Sequence, residues 1–252
     1  MWMISEKTLK KHLTYYNMAK VAFITGTGDG IGKSLAQLLL ENGYIVFGYS
    51  RKNNIKHQNF NFTKIDLCNL ENVQNINFPD IKFKNIILIN NAGTIGKIVP
   101  IHLKTSQEII DEYNVNIIAP TILSNKFIKK YFNHKKTIIN ISSGAAIKSI
   151  PSWNTYCATK AALDRLTDTI SEEKIPNLEI YSIHPGIVNT NMQKSIRDSD
   201  SKNFPLKDQF VEYYKTDQLE DPLSVSRKIY FVINNPTNFK ENILSARNIE
   251  IS

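Results

Sequence analysis

Cysteine is scarce in this chain: Cys68 and Cys157 are the only two among 252 residues. Two thiols build neither a disulfide framework nor a structural zinc site, so a reducing cytoplasm is the expected setting. No apolar run approaches the roughly 18 residues that a membrane span requires. The first residues lack an apolar stretch ending in a small-residue cleavage site, so no secretory signal is expected. Five histidines (His12, His57, His102, His134, His184) show no ligand spacing, and no metal is expected. Lysine and arginine outnumber the acids 31 to 23, a net charge of +8. They never gather into a block interleaved with aromatics, so the excess reads as a solvated basic surface rather than a nucleic-acid face.

What the chain does have is 42% hydrophobic residues, enough for a substantial core. They fall in short apolar runs that alternate with helix-period segments from Lys20 to about Asn235. Val21–Thr25, Tyr44–Tyr49, Phe62–Asp66, Asn85–Asn90, Thr137–Ser142 and Glu179–His184 read as buried strands. Gly30–Asn42, Ser106–Phe132, Tyr156–Glu172 and Pro222–Ile233 read as helices, with a stunted one near Asn69–Ile76. Repeated βα alternation predicts an α/β fold: one doubly wound, Rossmann-type parallel sheet of about seven strands with helices on both faces. A single domain is expected over residues 20–252, preceded by an extension over 1–19 that is peripheral or serves as an interaction arm. Met192–Asp217, with Met192, Phe204, Phe210, Tyr213 and Tyr214, is expected to fold over the site as a lid.

The first strand runs into Thr25-Gly26-Thr27-Gly28-Asp29-Gly30-Ile31-Gly32-Lys33-Ser34. Glycines at such a turn allow positive φ, close approach to a pyrophosphate and tight packing of helix on strand. The helix start then offers free N–H groups and a positive dipole end. The letters nearly spell a P-loop, but that motif needs glycine where Thr27 stands. The spacing that fits is Thr-Gly-x-x-x-Gly-x-Gly, with glycines at 26, 30 and 32. Five further segments follow in order. They are Asn90-Asn91-Ala92-Gly93 after the fourth strand, Asn116 in the long helix, and Ser143. Then come Tyr156-Cys157-Ala158-Thr159-Lys160 and Pro185-Gly186-Ile187-Val188-Asn189-Thr190. Together they resemble the short-chain dehydrogenase/reductase family over residues 20 to about 192.

Carbonyl reduction needs a hydride donor on one side of the carbonyl and an acid near its oxygen. A free phenol has a pKa of about 10. Lys160, one helical turn beyond Tyr156, is expected to draw that value towards neutrality by its charge. Ser143 can bond the substrate carbonyl and its developing oxyanion. The resemblance implies that Tyr156 is the general acid, that Lys160 also holds the nicotinamide ribose, and that Asn116 anchors a water of the proton relay. It places cofactor contacts at Gly26, Asp29, Gly30, Ile31 and Gly32, at Asp66 and Leu67, at Asn91, Ala92 and Gly93, and at Pro185, Gly186, Val188 and Thr190. Tyr44–His57 contains no acid to bind a ribose 2′-hydroxyl and offers Ser50, Arg51 and Lys52 instead, which points to NADP(H). Asp29 argues the other way, standing where many NADP-preferring relatives carry a base.

Trp153, Cys157 and the Val188-x-Thr190-x-Met192 segment narrow the resemblance to benzil reductase and sepiapterin reductase-like enzymes. Arg247 falls about where the latter carry a pterin-anchoring acid, which counts against pterins. The expected function is therefore NADPH-dependent reduction of a small-molecule ketone, a vicinal diketone for preference, with Ser143, Trp153 and Met192 touching substrate. A pteridine-type reductase and a non-catalytic NADP-binding regulatory protein remain as alternatives. A homodimer through the two long helices is expected by resemblance, with no nucleic acid and no membrane as partner.

Overall fold

In the computed structural model, which describes residues 20–80 and 85–251, seven parallel strands lie in the order β3-β2-β1-β4-β5-β6-β7. These are β1 (Lys20–Thr25), β2 (Tyr44–Ser50), β3 (Phe60–Lys64), β4 (Asn85–Asn90), β5 (Lys136–Ile141), β6 (Leu178–His184) and β7 (Ile243–Ser245). The central strands are apolar at successive positions because both faces of the sheet are covered. Ala22, Ile24, Ile87, Ile89, Ile139 and Ile183 point to one face, under helices α1 (Gly30–Glu41) and α8 (Pro222–Asn234). Val21, Phe23, Ile86, Leu88, Ile138 and Ile180 point to the other. There Phe23 meets Phe47, Phe78, Phe127 and Tyr131 at ring-centroid distances of 4.8–6.2 Å.

Strand order turns back between β1 and β4, so the crevice beyond their carboxyl ends is the fold's natural ligand position. Strand β3 begins and ends two residues earlier than its apolar run suggests. Its register on β2, Val46 with Phe60 through Ser50 with Lys64, releases Ile65 and Asp66 into the following loop. The stunted helix is α2 (Leu70–Gln74), five residues long and capped by the Asn69 side chain.

The long helix expected over 106–132 is three pieces: α3 (Ser106–Tyr113), a π-helical stretch over Asn114–Ile118, and α4 (Ala119–Lys130). The widened turn has a visible cause. Pro120 has no N–H to give the Asn116 carbonyl, and Ala119 bonds back to the Asn114 carbonyl instead. Helix α5 (Asn154–Glu172) starts two residues before its expected beginning. The lid contains two helices that its composition did not announce, α6 (Asn191–Arg197) and α7 (Lys207–Lys215). The extension over 1–19 lies outside the described residues. Among the described residues no helix is long and apolar enough to cross a membrane.

Candidate functional site

The glycine turn works through backbone geometry. Gly26 has φ +77° and donates its N–H to the Tyr49 carbonyl at 2.8 Å, tying the turn to the end of β2. A side chain at Gly32 would collide with the Asn91 amide and the Gly26 carbonyl, so the helix can start this close to the strand only with glycine there. At the start of α1 the Asp29 side chain makes no capping bond, and no acid lies in the first turn. The N–H groups of the first turn are thereby left for an incoming anion. Asp29 instead accepts a hydrogen bond from the Asn191 amide at the head of α6.

Thr25 laces this region together, a role the motif reading missed. Its hydroxyl oxygen accepts from the N–H groups of Asn91 and Ala92, both at 3.0 Å. The Asn91 amide in turn donates to the carbonyls of Thr25 and Gly26 at 2.9 and 3.3 Å. The signal was the threonine ending β1, opposite the asparagine that follows β4. Ser50, half-buried, ends β2 and Arg51, exposed, follows it, and a side chain at Gly28 would sit 2.8 Å from the Ser50 hydroxyl. Asp66 closes its own loop by accepting from Cys68 N–H at 3.0 Å. Leu67 and Val188 are core side chains, and Ile31 packs against the core beside α8. Leu67 and Val188 can meet a ligand only through their backbones, whereas Ile31 is partly exposed.

Tyr156 and Lys160 project from the inner face of α5 and are 6% and 3% exposed. Burial pushes the Tyr156 phenol up to about 12, opposed by its hydrogen bond with Ser143. Burial pulls the Lys160 amine down to about 8, opposed by the charge of Asp164. The expected lowering of the phenol by Lys160 is not found in this arrangement. The ammonium donates to the Ile141 carbonyl at 2.7 Å and stands 5.8 Å from the centre of the Tyr156 ring, while desolvation dominates.

Asn116, 1% exposed on the π stretch, exchanges two hydrogen bonds with the backbone of Thr94 at 2.8 and 2.9 Å. A side chain at Gly93 would lie 3.4 Å from the Asn116 oxygen and 3.5 Å from the Lys160 nitrogen, so the three predicted residues meet at one point. A buried network of Lys104, Glu112 and Thr155 braces the residue before Tyr156. Gly186 has φ +87°, and Thr190 caps α6 with its methyl facing Gly30.

Over the phenol lies an apolar shell. Met192 sulfur is 3.9 Å from the Tyr156 oxygen. Trp153 meets Tyr156 edge-on at 5.6 Å, stacks on Phe204 at 5.7 Å and touches Phe210 at 5.3 Å. Phe204 is fully buried and acts as packing behind Trp153. Tyr214 does not line the pocket as expected: it is 52% exposed with the Arg197 guanidinium over its ring. The Trp153 indole N–H is buried without an acceptor among the described residues.

Residues 20–201 match the profile of the short chain dehydrogenase family. The chain is 33% identical over 230 residues to benzil reductase ((S)-benzoin forming) of Bacillus cereus, covering 83% of this chain and 92% of that one. Against sepiapterin reductase of Rattus norvegicus it is 28% identical over 210 residues, 71% and 78% of the two chains. Among solved structures, 4-hydroxyisoleucine dehydrogenase complexed with NADH matches with a TM-score of 0.75 at 25% identity. That match spans 90% of this chain and 96% of the other.

Proposed function

The chain belongs to the short-chain dehydrogenase family, and we propose that it is an NADPH-dependent carbonyl reductase acting best on vicinal diketones. The observation that carries this reading is the placement of Tyr156, close to Ser143, beneath the apolar shell of Met192, Trp153 and Phe210.

The fit of a dinucleotide rests on the uncapped start of α1 and the glycine cradle around it. Gly26, Gly30 and Gly32 would hold the pyrophosphate, with Ser50 and Arg51 at the ribose 2′-phosphate. Arg51 suits that group because a guanidinium gives paired, charge-assisted hydrogen bonds. Asp29 accepts from the Asn191 amide, which ties its carboxylate to the head of α6. Asp66, Leu67 and Asn91–Gly93 would border the adenosine, and Lys160 and the Pro185–Thr190 turn the nicotinamide end. When bound, the nicotinamide supplies the hydride.

The chain's own residues handle the proton. Ser143 donates to the substrate oxygen as negative charge grows on it. Tyr156 passes its proton to the same oxygen. A phenol held near 12 is a poor exchanger at neutral pH, so Lys160 must approach it in the working complex, leaving the Ile141 carbonyl for the ribose. Asn116 stands next to Lys160, and its own carbonyl, freed by Pro120, is the acceptor that would hold a relay water. The apolar wall of Met192, Trp153 and Phe210 suits the aryl or alkyl groups that flank the carbonyls of a diketone. Ile110 and Ile118, 49% and 37% exposed along α3 and the π stretch, suit pairing of two copies through these helices. Two free cysteines with no disulfide between them support a reducing, cytoplasmic setting.

A panel of carbonyls followed by NADPH absorbance tests the reading. Benzil-like diketones should be consumed faster than monoketones, sugars or sepiapterin, and NADPH should be used in preference to NADH. A preference for sepiapterin would make it a pteridine-type reductase. NADPH binding without turnover of any carbonyl would leave a binding protein.

A further inference from the structure

One buried carboxylate in the molecule has no part in the chemistry above. Asp164 lies on α5 one turn beyond Lys160, on the same helix face, and is 8% exposed. One of its oxygens accepts from the Ser182 hydroxyl at 2.6 Å. The other meets His184 Nε2 at 2.7 Å, and both partners sit on β6. Ser142, just after β5, lies near the same carboxylate and donates its hydroxyl proton to the Lys160 carbonyl at 3.3 Å.

A carboxylate in such a place costs desolvation energy and persists only if its lone pairs are filled and a countercharge is near. Ser182 and His184 occupy one oxygen each, and the Ser142 hydroxyl stands close by. Although burial works to raise it, hydrogen bonds from His184, Ser182 and Ser142 hold the Asp164 carboxyl below the usual carboxylate range. It therefore carries its negative charge throughout the neutral region. Around Lys160 the titratable groups are Tyr156 and Asp164 on its own helix and His184 on β6. The carboxyl end of β5, the π stretch and the Asn91–Gly93 segment present only neutral groups; Lys136 stands at the opposite end of β5, the Lys104–Glu112 pair beside Thr155, and Glu220 and Arg247 beside Gly186. His184 also directly precedes the Pro185–Gly186 turn, so the same pair links α5 to the nicotinamide end of the site.

We propose that Asp164, clamped by Ser182 and His184, is the fixed countercharge that keeps Lys160 an ammonium in its dry site. It acts through Lys160 and is a positioning residue, not one that touches substrate. The proposal rests on the reading of Lys160 given above, and its test can be separated from that reading because it needs neither cofactor nor substrate.

The test is an NMR pH titration of the full chain carrying 13Cε-labelled lysine, with the Lys160 signal assigned by its loss in Lys160→Arg. Asp164→Asn keeps the side-chain shape and removes the charge. The Lys160 midpoint should fall by about one unit or more, as expected for loss of an opposite charge one helical turn away in a buried site. Ser182→Ala, which removes a hydrogen bond from the same cluster but leaves the charge, should move it by less than about 0.3 unit. A midpoint in Asp164→Asn within that margin of wild type overturns the proposal, as does an equal fall in both variants. If Asp164→Asn fails to fold, the triple variant Asp164→Leu/Ser182→Ala/His184→Leu gives the same readout, since replacing a whole buried polar cluster by apolar groups is often tolerated. The sign carries into activity. An amine that loses its proton at lower pH moves the alkaline limb of the kcat/KM profile downward. Inertness of the wild type towards every carbonyl would sink the reductase reading and leave the titration to decide the countercharge.

Discussion

The two walls of the crevice are built from different materials. On the cofactor side the Thr25–Gly32 turn, Asn91 and the strand ends are joined by backbone and short side-chain hydrogen bonds. On the lid side α6 and α7 are held over α5 by faces of Trp153, Phe204 and Phe210 and by Met192. The first wall depends on where backbone atoms must be, and few residue types satisfy it. The second depends on which apolar volumes fill a space, and many combinations do. One wall is suited to an invariant ligand, the other to an adjustable one.

Tyr156 belongs to both walls, and changing it separates them most sharply. Tyr156→Phe removes only the transferable proton. It should lower kcat by at least about 100-fold, within the range that general acid catalysis supplies. NADPH affinity, read by nucleotide fluorescence, should stay within about threefold of wild type, because ground-state binding is untouched. Turnover above about a tenth of wild type would remove Tyr156 as the acid.

On the cofactor wall, Arg51→Asp puts a like charge where the 2′-phosphate would lie. Calorimetric titration should show NADPH weakened by about 10- to 100-fold, the worth of a charged hydrogen-bonded contact, and NADH hardly changed. A wild-type preference for NADH would show that Arg51 is merely solvated and that the 2′-hydroxyl is read elsewhere.

The lid wall should answer in the opposite currency. Phe210→Ala removes part of the apolar shell and should raise KM for a benzil-like diketone by about tenfold, with NADPH affinity unchanged. Tyr214→Ala, one turn on at the exposed end of the same helix, should change either constant by less than about twofold. Equal effects at 210 and 214 would mean that the whole lid moves as a unit and that its inner face confers no selectivity.

How far the molecule could be read in advance follows the same division. The βα alternation, the glycine spacing and the Tyr156–Lys160 pair were legible because each is a local rule: strand period, turn conformation, one helical turn. Phe204 was ambiguous, since an aromatic in a lid and an aromatic in a core look alike until the neighbours are known. Tyr214 was misplaced for that reason. The π turn at Asn116 left a trace in Pro120, which could have been read. Asp164 left none: a lone acid in an amphipathic helix is ordinarily a solvated charge, and Ser182 and His184 come to it from a strand eighteen and twenty residues away.

The sequence alone determined the parallel α/β sheet, the crevice at the end of β1 and the acid and lysine on one face of α5, because these rest on short-range periodicity and on glycine conformations that no other residue adopts. The tertiary structure decided which way the charges face. Burial sets the phenol high and the amine low, the Ile141 carbonyl claims the ammonium, and Asp164 acquires its partners only when β6 packs beside α5. Desolvation and charge coupling depend on distance in space, and only the packed chain fixes those distances.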